Sequence, residues 1–217
     1  MGIQTFLFVL VGWIFSLCLH EYAHAKFAYE GGDTSVKEKG YLSFNPLRYV
    51  DPVFSIVIPL LFLAMGGIGL PGGAVYIDRS RIRDPRWMSV VSLAGPLSNA
   101  ILALVFAIPF WISPGAHGGL WPALAFLCLL QITAVILNLM PIPPLDGFGI
   151  LRPHLPPELR ASMDAAASWS FYLVFGAISF VPQLNALFWG LTFRTTAFIG
   201  VPPDLAFEGL RLFRFWN

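Results

Sequence analysis

The stretch that decides the fold is WMSVVSLAGPLSNAILALVFAIPFWISPGAHGGLWPALAFLCLLQITAVILNLMPIPPL, residues 87–145, which holds no Asp, Glu, Lys or Arg. Ser113-Pro114-Gly115-Ala116-His117-Gly118-Gly119 divides it into two apolar runs, 87–112 and about 120–140. Each meets the roughly 20 residues that a helix needs to cross a bilayer. The whole chain agrees: of 217 residues, 57% are hydrophobic and 12% charged, whereas soluble domains carry about 25% charged residues. An integral membrane protein is the class this implies. The net charge of +1 gives no electrostatic footprint for nucleic acid.

Working outward, a first apolar run covers about 5–28 and ends at Glu30-Gly31-Gly32-Asp33. Residues 1–19 are apolar like a signal peptide, but no basic region precedes them and no A-x-A-like site follows, so the run reads as a retained helix. Residues 53–65, with Pro59 in their middle, are too short for a crossing and suggest a re-entrant or interfacial segment. Further spans are expected at about 165–181 and, despite Arg194, at 184–201. The tail from Pro203 mixes Leu, Phe and Trp with Glu208, Arg211 and Arg214, as an interfacial helix would. Cys18 and Cys128 sit in apolar runs and read as small buried side chains.

Basic residues cluster after the first run, before residue 87, after residue 146 and at the C-terminal end, and the 113–119 loop has none. The positive-inside rule then places the N-terminus outside and the C-terminus in the cytoplasm, with five full crossings. No repeat or linker interrupts the chain. Residues 1–217 are expected to form a single domain, with a core of about 5–155 and C-terminal helices over about 163–217.

Into the first span the sequence sets LHEYAHAKFAYEGGD, residues 19–33. His20, Glu21 and His24 form H-E-x-x-H. On a helix, positions i and i+4 share a face, so both imidazoles can reach one ion, with Glu21 rotated about 100° to its border. In a soluble protein such a motif can be mere surface charge; inside a membrane helix, ionisable groups point to a functional site. A catalytic zinc usually takes three protein ligands, so a third is needed. His20 lies about 12 Å short of the end of the apolar run, at ~1.5 Å per residue. Asp146 follows the 120–140 run in NLMPIPPLDG, residues 138–147. Prolines there exclude regular helix. Such backbone is tolerated at membrane depth only beside protein or a water-filled cavity, so Asp146 could fold back towards the histidines. It could equally cap a helix starting at Gly147.

These motifs together resemble the site-2 protease family of intramembrane zinc metalloproteases. AGPLSN, residues 94–99, is similar to the family's G-P-x-x-N signature, and NLMPIPPLDG to its N-x-x-P-x-P-x-x-D-G pattern. NPLRYVDP, residues 45–52, resembles the connector of compact bacterial members, and no PDZ or CBS domain is evident. The likeness covers about residues 10–155. It implies that His20, His24 and Asp146 ligate one catalytic zinc ion, that Glu21 is the general base, and that Asn138 holds or polarises the scissile carbonyl. It also implies a small membrane-associated β-hairpin over 69–78, along which an unwound substrate could pair as an added strand. The expected fold is thus an all-α polytopic membrane protein with about five transmembrane helices, one re-entrant or short apolar segment, and that hairpin. The expected function is hydrolysis of transmembrane proteins in a bacterial cell membrane, from a site on the cytoplasmic side. Gly95-Pro96 with Ser98 and Asn99 reads equally well as a small-residue helix contact, with Asn99 as a candidate brace. The rival reading is an inactive relative or a metal carrier. Glu21 argues against it, since metal binding alone does not require that residue.

Overall fold

The computed structural model describes residues 1–45, 48, 75–115 and 117–216. Among the described residues eight α-helices run in chain order: α1 Gly2–Gly31, α2 Ser35–Glu38, α3 Trp87–Ile112, α4 Trp121–Asn138, α5 Asp146–Leu151, α6 Pro157–Phe180, α7 Pro182–Phe198 and α8 Pro203–Phe213. Short 3-10 turns occupy Arg79–Arg81 and Arg152–His154. The expected segment at 53–65 lies outside the described residues.

Among the described residues three helices, α1, α3 and α4, are long and apolar enough to cross a membrane. Each stops where its sequence removes the means to continue. α1 ends at Gly32, whose φ of 122° suits a residue without a Cβ and lets its N–H and that of Asp33 return to the Tyr29 and Ala28 carbonyls. α3 ends before Ser113-Pro114-Gly115, and α4 begins with Pro122 in its first turn, where no donor is lost. On α1, Ile3, Leu7 and Val11 are 58%, 52% and 67% exposed, at a spacing of four. On α3, Leu93, Leu97, Ile101, Leu104 and Ile108 are exposed as well. Apolar stripes facing outward on helices that are also apolar inward suit a lipid surround.

α4 is the centre of the bundle, with α1, α3, α7 and α8 packed around it. Val9, Ala107, Phe110, Phe126, Leu129 and Phe213 are among the residues of the main core. The expected interfacial tail is a helix, but its Leu205, Ala206, Gly209 and Phe213 are buried. A Cβ at Gly209 would strike the Pro122 carbonyl, so glycine lets α8 close on α4. Phe213 lies between Phe6 and Phe126, with ring centroids 5.1 and 5.6 Å away.

Two expectations need correction. Among the described residues, where all five expected crossings fall, five are too many: besides the three spans, α6 and α7 pass only as a bent pair, Tyr172–Phe180 and Pro182–Phe198, which would bring the number to four if it counts as one span. The two segments meet at 92°, because Pro182 breaks the helix after Val181. The first half of α6 also carries Glu158, Arg160 and Asp164, which shortens its apolar part. The β-hairpin is the second correction. Residues 69–74 of the expected hairpin lie outside the described residues; among those described there is no strand, and 75–78 is irregular chain. Its amides are engaged elsewhere: Val75 N–H donates to the Glu21 carboxylate at 3.0 Å and Asp78 N–H to the Asp33 carboxylate at 2.7 Å. An N–H given to a side-chain carboxylate cannot serve a ladder, so Val75 and Asp78 are closed to a pairing strand.

Candidate metal centre

One turn of α1 carries the first two donors. His20 Nε2 and His24 Nε2 lie 3.0 Å apart, as i, i+4 spacing dictates. Each ring is held from behind through Nδ1. His24 Nδ1 lies 2.7 Å from the Val91 carbonyl, which can only accept, so His24 carries its proton on Nδ1. His20 Nδ1 lies 2.5 Å from Asn99 Oδ1. Both holding groups belong to α3, which reaches the imidazoles closely because of Gly95. A Cβ there would collide with His24 Nε2 and sit 2.6 Å from His20 Nε2. The A-G-P-L-S-N segment therefore does more than pack helices: its glycine makes room for the rings and its asparagine holds one of them.

Asp146 arrives from the other side. The chain after α4 turns through Met140-Pro141-Ile142-Pro143-Pro144, with a cis peptide between the last two, before α5 begins at Asp146 itself. A Cβ on Gly147 would strike the Leu139 carbonyl, so the L-D-G glycine lets this turn close on the end of α4. Ser170 of α6 donates to the Pro143 carbonyl at 2.5 Å and ties the turn down. Asp146 Oδ2 stands 3.3 Å from His20 Nε2, and Oδ1 stands 3.4 Å from His24 Nε2.

These three donors fit a metal ion. A tetrahedral ion with bonds of about 2.0–2.1 Å sets its donor atoms about 3.3 Å apart, and the three separations here are 3.0, 3.3 and 3.4 Å. Lone-pair atoms and an anion this close repel one another unless positive charge lies among them. Among the described residues this is the group of His, Cys, Asp or Glu side chains able to hold a metal.

Glu21 is 5% exposed and borders the donors, with Val75 N–H bonded to its Oε2. The 75–78 segment that supplies this N–H is pinned at its far end. Asp33, fully buried, accepts from Asp78 N–H with one oxygen and from Ser35 N–H and Oγ with the other. Lys39 donates to the Tyr76 carbonyl at 3.2 Å. A cavity of 880 Å³ contains His20, Glu21, His24 and Asp146 in its wall, and buried Asn138 from the end of α4 lines it too. All five residues singled out in the sequence thus line one space. Arg152 grips Asp164 with a two-pronged contact, 2.8 and 2.5 Å, at the edge of the same cavity, and that hydrogen bonding lowers the Asp164 carboxyl from its ordinary range. His154 lies in the 3-10 turn with Nε2 3.1 Å from Ser89 Oγ.

The chain is 44% identical over 99% of its length to a Mycolicibacterium smegmatis protein named "Putative zinc metalloprotease Rip2", 83% of which is covered. It belongs to the site-2 protease family of zinc metalloproteases. The Mycobacterium tuberculosis Rip2 is likewise 44% identical, over 98% of the chain and 82% of its own length. YwhC of Bacillus subtilis, named as a zinc metalloprotease of the same standing, is 33% identical over 84% of each chain. No family model matches, and no solved structure matches. As a site-2 protease, the protein is an intramembrane zinc metalloprotease, and its apolar helices place it in a membrane. Sequence reading missed four features of this protease's site: the Val91 carbonyl, the steric need for Gly95, the Val75 amide and a buried glutamine, Gln131, behind Asn99. Only Gly95 lay within a motif. The others are backbone groups or a lone polar residue in an apolar run, which carry no sequence signal.

Proposed function

We propose that His20, His24 and Asp146 hold one zinc ion, and that with Glu21 they hydrolyse peptide bonds of transmembrane proteins. The observation that carries this reading is the convergence of the three donors, 3.0–3.4 Å apart, beside a buried carboxylate in a membrane helix. A zinc ion held there would supply Lewis acidity, bringing bound water to a pKa of about 7 and polarising a carbonyl. Glu21 takes the proton of the attacking water and delivers it to the leaving amine. Asn138, which lines the same cavity, donates to the scissile carbonyl oxygen, which gains charge as the tetrahedral centre forms. The substrate helix must unwind first, since its peptide groups are otherwise engaged in helical hydrogen bonds.

The reading is tested in vesicles containing the full chain and a single-span substrate. Chelation should stop cleavage, and added zinc should restore it. Cleavage that persists at an unchanged rate after the metal is stripped would sink the proposal.

The charge pattern supports an orientation. Lys26 lies near the end of α1, Lys37, Lys39, Arg48, Arg79, Arg81, Arg83 and Arg86 lie between α1 and α3, Arg152 and Arg160 follow α4, and 113–119 has no basic residue. The N-terminus is then outside. Three crossings leave Arg152 inside, and the bent α6–α7 pair, counted as a fourth, sets the C-terminal helix on the N-terminal side, where Phe213 packs against Phe6. Single cysteines at Ser43 and Ser80, in a chain without Cys18 and Cys128, should react with an impermeant reagent from the cytoplasmic side. One at His117 should react from outside only. Labelling of positions 43 and 80 from opposite faces would add a span between them and reverse the scheme beyond it.

A further inference from the structure

The hydrogen bonds behind His20 run in one direction. The Trp13 carbonyl can only accept, so the Ser16 hydroxyl donates to it at 2.8 Å. That uses the hydroxyl's one proton, so Ser16 Oγ accepts from Gln131 Nε2 at 3.1 Å. Gln131 Oε1 is thereby turned to Asn99, whose Nδ2 donates to it at 2.7 Å. Asn99 Oδ1 then faces His20 Nδ1, and an amide oxygen there can only accept. His20 must carry its proton on Nδ1, and Nε2 presents a lone pair to His24 and Asp146.

The reverse direction would give up only the Ser16–Trp13 bond and keep the rest of the path. Ser16 would donate to Gln131, Gln131 to Asn99, and Asn99 Nδ2 to His20 Nδ1. The proton would then sit on Nε2 and close it to a metal. His24 needs no such control, because a backbone carbonyl cannot be turned round. Ser16, Asn99 and Gln131 are 2%, 4% and 1% exposed, so bulk water does not compete for these bonds.

We propose that Gln131 is a positioning residue of the metal centre: oriented by Ser16, it fixes the Asn99 amide and so holds His20 in the tautomer that can ligate. This rests on His20 being a metal ligand. Outer-sphere partners of ligating histidines commonly govern affinity in this way.

The test uses the full chain in detergent, with zinc affinity measured by competition against a chromophoric chelator. Gln131→Met keeps the volume but removes both polar ends, and should weaken zinc binding about 10–100-fold. Asn99→Asp offers only acceptor oxygens and cannot be reversed. In that background Gln131→Met should cost less than about threefold, since the two residues act through one path. Gln131→Glu, which also accepts from Asn99, should stay within about threefold of the wild type. Ring ¹⁵N shifts of the metal-free protein give a second readout: wild-type His20 should show the Nδ1–H form alone, and Gln131→Met a mixture. An equal loss of affinity from Gln131→Met in both backgrounds would mean packing and would overturn the proposal. So would a Gln131→Met form with unchanged affinity and a single tautomer. His20→Ala with full zinc affinity would instead remove the ligand assignment beneath it.

Discussion

Glu21→Gln protein should retain zinc near the wild-type level while cleaving a transmembrane substrate at least about 100-fold more slowly, the scale of losing a general base. The substitution is nearly isosteric, and the glutamine Oε1 can still accept from Val75 N–H, so the chain over 75–78 keeps its anchor. What disappears is the ability to take a proton. An amide is not a base near neutral pH, and among the described residues the other carboxylates of the cavity wall are engaged: Asp146 faces both imidazoles, Asp78 is bonded to Ser80 and Arg81, and Asp164 to Arg152. Metal analysis of the purified variant, set beside its cleavage rate in vesicles, separates the alternatives. Wild-type cleavage would show that Glu21 is not the base. Lost zinc together with lost cleavage would place Glu21 among the residues that hold the ion. The same variant, still folded and metal-loaded, is the form in which uncut membrane proteins should accumulate and be captured.

The parts of this fold that composition revealed are those where one local property decides the outcome. Trp87–Ile112 is helical over the whole of its predicted range because no charge interrupts it and Ser113-Pro114-Gly115 ends it. The number of crossings was not legible in the same way. A hydropathy window sees apolar length but not a 92° turn at Pro182, so two segments that meet at a corner read as two spans. The 69–78 hairpin rested on resemblance, and alternation along the chain could not reveal that Glu21 and Asp33 take the Val75 and Asp78 amides. At the site, His20 and His24 declared themselves through helical spacing. Asp146 did not, since its approach depends on how a proline turn folds between α4 and α5. Its pairing with the histidines followed from the resemblance, and the structure sets it opposite both. Gln131 shows the remaining limit. One glutamine amid apolar residues is ordinary in a sequence, and only the three-dimensional path from Trp13 to His20 gives its amide a direction.

Asp146→Asn is the substitution that distinguishes a ligand from a helix cap. Asn caps helices about as well as Asp, so a capping residue would tolerate the change. In the structure Asp146 is the first residue of α5. The capping position belongs to Leu145, and no side-chain cap bond is present. The carboxylate is turned instead towards the two Nε2 atoms. Asn would offer them one neutral oxygen in place of an anion and would set an N–H₂ group, a pure donor, where the other oxygen stood. Zinc affinity should therefore fall by more than the ~10–100-fold typical of losing an outer-sphere partner. His20→Ala should lose zinc to a similar degree, and the double variant should lose little beyond either single change, because donors of one site act as a unit. Folding can be followed separately, through the Phe6, Phe126 and Phe213 cluster, which contains none of these residues. Asp146→Asn protein with full zinc and full activity would reduce the residue to a structural role and leave His20 and His24 without their third donor.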